Sequence, residues 1–92
     1  MISIKRVVGD SMMPTLKDGQ LVVVSYFTKP RVGHVVVAIM HKREVIKRIA
    51  CIHHNWQVDL RGDNPSASTD SRTHGTIPLR NIQGVVLWPR LK

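Results

Sequence analysis

Ser11 and Lys47 are the two residues whose types and settings suggest chemistry in this 92-residue chain. Ser11 lies in Gly9-Asp10-Ser11-Met12-Met13-Pro14-Thr15-Leu16, directly after an alternating apolar run. A serine ahead of a proline is commonly a turn or cap residue. The same position also suits a nucleophile presented where a strand ends, with its own amide offered to a developing oxyanion. Lys47 lies in a run of strand-forming residues, and period-two alternation puts it on one face with Val45 and Ile49, opposite Glu44, Ile46, Arg48 and Ala50. A lysine on such a face snorkels outward, finds an anion, or loses its proton because burial disfavours the charged form. The strand alone leaves all three outcomes open.

The elements that must position these two groups are short. Strand-like runs recur at Ile2 to Val8, Gln20 to Tyr26, His34 to Met40, Glu44 to Cys51, Trp56 to Leu60 and Ile82 to Trp88. Turn signals separate them at Lys17-Asp18-Gly19, at Lys29 to Gly33, at His41-Lys42-Arg43 and at Gly62-Asp63-Asn64-Pro65. This spacing predicts an all-β fold, a compact coiled sheet or partly open barrel. Helical period does not extend beyond about a turn near Ser11 to Leu16. No repeat or linker divides residues 1–92, so a single domain with one core is expected.

Composition narrows the function classes. Hydrophobic residues make up 42% and charged residues 22%, which argues against disorder. The apolar runs are too short to cross a bilayer, and the N-terminal residues lack the continuous apolar stretch of a secretory signal. With one cysteine, Cys51, no internal disulfide is possible, and a cytoplasmic location is expected. Fourteen Lys and Arg against six Asp and Glu give a net charge of +8, which suits nucleic acid, an anionic membrane or an acidic polypeptide. The basic residues are scattered and only four residues are aromatic, which disfavours nucleic acid as partner.

The octet around Ser11, together with Gly19 to Val24, Val45-Ile46-Lys47-Arg48-Ile49 and the segment from Gly62 to Gly75, resembles the type I signal peptidase family in order and spacing. The resemblance runs from about Val8 to Val86. It implies a serine endopeptidase without cofactor, with Ser11 as nucleophile and Lys47 as general base. It further implies Ser68 as the residue orienting the amine, and Asp70 and Arg72 as an ion pair supporting that loop. Backbone amides at Gly9 and Ser11 are the expected oxyanion donors, because some relatives carry a serine where Gly9 stands. Met12 and Met13 are expected along the substrate cleft. A Ser-Lys pair needs a neutral amine near pH 7, which agrees with a lysine on an apolar face.

His34 stands where an Asp is usual in that family. No membrane anchor is expected, and Arg48 to Arg61 is too short for the large insertion of the bacterial enzymes. This stripped core, with Gly-Asp-Asn-Pro and Ser-Thr-Asp-Ser-Arg, is similar to the nickel-type superoxide dismutase maturation proteases. That similarity implies a precursor protein as partner, the nickel superoxide dismutase precursor, shortened by removal of an N-terminal extension. Two alternatives stand beside it. One is an SOS-repressor-like autoprotease, against which counts the absence of Ala-Gly and Cys-Gly dipeptides, and for which no preceding DNA-binding domain is expected. The other is a basic β-domain binding nucleic acid through phosphates. No bound metal is expected, since adjacent His53 and His54 on a strand would face opposite ways. Cys51 is expected as a small buried hydrophobe on the lysine's face, and Trp56 and Trp88 as core anchors.

Overall fold

The computed structural model describes residues 1–68 and 70–91, Thr69 and Lys92 lying outside the described residues. Seven strands form one sheet: β1 (Ile2–Arg6), β2 (Leu21–Ser25), β3 (Val35–Met40), β4 (Arg43–Ile52), β5 (Gln57–Arg61), β6 (Ile77–Pro78) and β7 (Ile82–Trp88). Their order across the sheet is β1-β2-β7-β3-β4-β5-β6, and each neighbouring pair is antiparallel. The sheet is all-β and open, with β1 and β6 at its two edges. One α-helical turn, α1 (Ser71–His74), links β5 to β6. None of the described helices is long and apolar enough to cross a membrane.

β3 is the centre of the molecule, and its composition explains why. Val35-Val36-Val37-Ala38 is apolar without interruption, so both faces must be covered. Val35 and Val37 pack with Val7, Met12, Leu16, Val22 and Val24 on one face. Val36, Ala38 and Met40 pack with Ile49, Val58 and Leu60 on the other. The strongly coiled sheet therefore closes two apolar layers around a single strand.

Six of the seven strands follow the expected runs. β6 escaped because a two-residue Ile-Pro bridge has no measurable period. Three expectations need correction. Trp56 and Trp88 are 67% and 59% exposed, so valines and leucines make the core without them. Trp56 falls in the β4–β5 turn at φ 63, and Trp88 pairs with Val23 on the outer face at the end of β7. Cys51 is half-buried, because a bulge between Ile49 and Cys51 breaks the alternation and places Cys51 opposite Asp59. His53 and His54 follow β4 in an exposed turn rather than occupying a strand.

Candidate active site

Ser11 is held by what surrounds it in sequence. Met12 and Leu16 are 1% and 0% exposed, and burying two such side chains contributes about 1.5–3 kcal/mol each to fixing the turn that carries the serine. Gly9, at φ 85, supplies the left-handed backbone that ends the β1 extension, a conformation that suits glycine. Asn64 then clamps the loop from the far side, its N–H donating to the Ser11 carbonyl (2.8 Å) and its Nδ2 to the Asp10 carbonyl (3.0 Å).

The clamp continues into β4. Asp63 accepts a hydrogen bond from the Thr15 hydroxyl and a paired contact from Arg48, whose Nε and Nη2 lie 3.0 and 2.8 Å away. Arg48 also donates from Nη1 to the Gly33 carbonyl. Asp63 is held below the usual carboxylate range, first by its hydrogen bond from Arg48 against the opposing effect of burial. Gly62-Asp63-Asn64 is thus more than a tight turn: it ties the serine loop to the strand that carries the lysine.

Lys47 is 5% exposed, so the snorkelling alternative does not apply. Its Nζ donates to Ser68 Oγ at 3.0 Å, and Ser68 Oγ donates to Asp70 Oδ2 at 2.7 Å. A hydroxyl has one proton, and here it goes to the carboxylate. Ser68 must therefore accept from the amine, which leaves the lone pair of a neutral Lys47 free to face elsewhere.

Asp70 is fully buried and completely engaged. It receives the Gly62 N–H (2.8 Å), the Arg72 N–H (3.0 Å), and Arg72 Nε and Nη2 (3.1 and 2.6 Å) in addition to Ser68. Burial pushes its carboxyl upward, but these donors, Arg72 foremost, more than compensate and hold it far below the usual carboxylate range. Lys47 is likewise lowered from its ordinary 10.5: burial lowers it, the Asp70 charge raises it, and the Arg72 charge lowers it again. The Asp70–Arg72 pair thus supplies an acceptor for Ser68 while Arg72 offsets part of the Asp70 charge that would keep the amine protonated.

Gly62 is the residue that sequence reasoning undervalued. It is buried, and a Cβ there would fall on Ser68 Oγ and within 2.5 Å of the Ser11 carbonyl oxygen. Only a glycine lets the serine loop and the Ser68 loop approach this closely. The signal was present as Gly62 at the head of its box, but spacing alone does not reveal which segments cross there.

Ser11 and Lys47 border the same two cavities, of about 250 and 350 Å³. The expected use of the Gly9 amide as an oxyanion donor needs correction, since that N–H already donates to Asp18 Oδ1 at 2.8 Å. The Ser11 N–H has no protein acceptor among the described residues and keeps that capacity. Met12 belongs to the core and reaches only the wall of the larger cavity, while half-buried Met13 borders neither, contrary to its expected place on the cleft. Among the described residues no cluster of three or more His, Cys, Asp or Glu side chains could hold a metal ion.

A family model described as Peptidase S24-like matches residues 3–87, nearly the whole chain. The chain belongs to the Peptidase S24-like family. Membership supports a serine peptidase or autoprotease and places the chain in the superfamily that also holds the signal peptidases. No curated protein sequence gives a significant match.

Proposed function

We propose that this S24-like domain is a serine endopeptidase in which Ser11 is the nucleophile and Lys47 the general base. The observation that carries the reading is a buried amine that lines the same two cavities as Ser11 and is bonded to a serine whose only proton is committed to an ion-paired carboxylate. Ser11 Oγ attacks the peptide carbonyl while its proton passes to Lys47 Nζ. The Ser11 N–H donates to the resulting oxyanion. Collapse breaks the C–N bond, Lys47 returns the proton to the leaving amine, and Ser11 is left as an ester. Lys47 then takes a proton from water, which attacks the ester, and passes it to Ser11 Oγ as the ester bond breaks and the N-terminal extension leaves as the acid. Ser68 orients the amine, and Asp70 with Arg72 fixes Ser68.

The substrate on this reading is a precursor carrying an N-terminal extension, and the resemblance of the Gly62 to Gly75 segment makes the nickel superoxide dismutase precursor the first to test. Purified protein is incubated with that precursor and intact masses are followed. Removal of a defined N-terminal piece that disappears in Ser11→Ala and Lys47→Ala supports the proposal, and cleavage surviving both substitutions removes the pair from it. Family membership also admits self-cleavage. Loss of mass from the pure protein at mildly alkaline pH, without any precursor, would favour that second reading.

A further inference from the structure

Lys47 is the inner end of a row. Strand alternation puts Arg43, Val45 and Lys47 on one face of β4, opposite Met40, Ala38 and Val36 of β3. All three row residues border both of the cavities that Ser11 borders. Burial falls along the row, from buried Lys47 through half-buried Val45 to exposed Arg43. The row therefore leads from the reacting pair out to a cation at the cavity mouth.

Arg43 has no carboxylate partner among the described residues. The adjacent Glu44 alternates to the opposite side of β4 yet also borders the larger cavity, and its carboxylate is paired with Lys5 at 3.3 Å. The other carboxylate near the site, Asp10, lines the smaller cavity in the Ser11 loop, and the imidazoles of His41 and His74, in contact at 4.0 Å, line it as well. Arg43 lies four positions from Lys47, which at strand rise is roughly 13 Å, the span of about four residues of an extended peptide.

We propose that Arg43 is a specificity-determining residue, selecting peptides that carry an Asp or Glu about four residues from the bond cut at Ser11. The proposal rests on the reading of Ser11 and Lys47 as the cleaving pair. A guanidinium meets a carboxylate through two parallel N–H bonds, so it discriminates acid from amide by shape as well as charge. The net charge of +8 gives the same preference at long range by drawing acidic polypeptides toward the molecule.

The test is a proteome-derived peptide library digested by the wild type, Ser11→Ala, Arg43→Gln and Arg43→Glu, with the cut sites read by mass spectrometry. One cleaved peptide is then resynthesised with Glu, Gln or Lys at the enriched position. The wild type is expected to enrich Asp and Glu three to five residues from the cut on one side and to prefer Glu over Gln about tenfold in kcat/KM, the scale of a charge-assisted hydrogen bond. Arg43→Gln should remove that preference, and Arg43→Glu should turn it toward Lys. Cuts without acidic enrichment, or enrichment unchanged in Arg43→Glu, would overturn the specificity proposal while leaving the protease reading intact. No cutting beyond the Ser11→Ala background would overturn the protease reading and this proposal with it.

Discussion

Replacing Gly62 by alanine adds one methyl group at the point where the two halves of the site meet. The new Cβ would sit 2.5 Å from the Ser11 carbonyl oxygen and 2.7 Å from Ser68 Cβ, nearly an ångström inside the 3.4 Å at which ordinary contact begins. Neither neighbour yields easily. The Ser11 carbonyl is held by the Asn64 N–H, and Ser68 is held between Lys47 and Asp70. Relief of the overlap requires a shift of either loop and the loss of one of those bonds. Overpacking costs typically 1–3 kcal/mol and a lost hydrogen bond about 1 kcal/mol, so Gly62→Ala should lower stability by about 2–4 kcal/mol. Moving Ser11 or Ser68 by about 1 Å should cost roughly 100-fold in the rate of cleavage. Urea unfolding gives the first quantity and single-turnover cleavage of the precursor gives the second. In a Ser68→Gly background both Ser68 contacts vanish and the Ser11 contact remains, so part of the stability loss should be recovered. A Gly62→Ala protein with unchanged urea midpoint and unchanged cleavage rate would show that the two loops do not meet at this point.

The remaining predictions follow the same network. Lys47→Met should reduce cleavage by about 10⁴-fold without lowering Tm, because it removes a buried amine along with its desolvation cost; thermal melts and precursor cleavage check the two halves. Asp70→Asn should destabilise by about 3 kcal/mol at pH 7, which for a domain of this size lowers Tm by roughly 12–24 °C. Because folding lowers the Asp70 carboxyl from 3.8, its stabilisation is present above that pH and is lost as pH falls further, so the gap between Asp70→Asn and wild type should narrow in urea titrations below pH 3.8. Cleavage should rise with pH as Lys47 loses its proton, at a midpoint below 10.5. Arg72→Met removes a charge that lowers Lys47 and exposes it to an uncompensated Asp70, so the rising limb of the pH–rate profile should move to higher pH.

What the sequence determined by itself follows from local rules. Turn residues and short β-branched runs specify an all-β chain, since a strand announces itself by period and a turn by glycine, proline and asparagine. Alternation alone put Lys47 with Val45 and Ile49, but whether its amine snorkels or is buried was decided by the elements packed over β4. Where an element has no period, as in the two-residue β6, or where a bulge resets the alternation, as before Cys51, local rules give out. The tryptophans fail for a related reason: side-chain size says how much could be buried, while position at a turn or a sheet end decides whether it is.

Only the tertiary structure decided which segments cross. Gly62 beside Ser11, Asn64 on the Asp10 and Ser11 carbonyls, Asp63 bridging Thr15 to Arg48, and Asp18 occupying the Gly9 amide are contacts between residues 9 to 54 positions apart or brought together by them. No spacing rule reaches that far, because the path between such segments is set by how the coiled sheet closes its two apolar layers over β3. The chain specifies the groups; the way β4 lies against the serine loop determines that a buried amine and a hydroxyl open onto the same cavities.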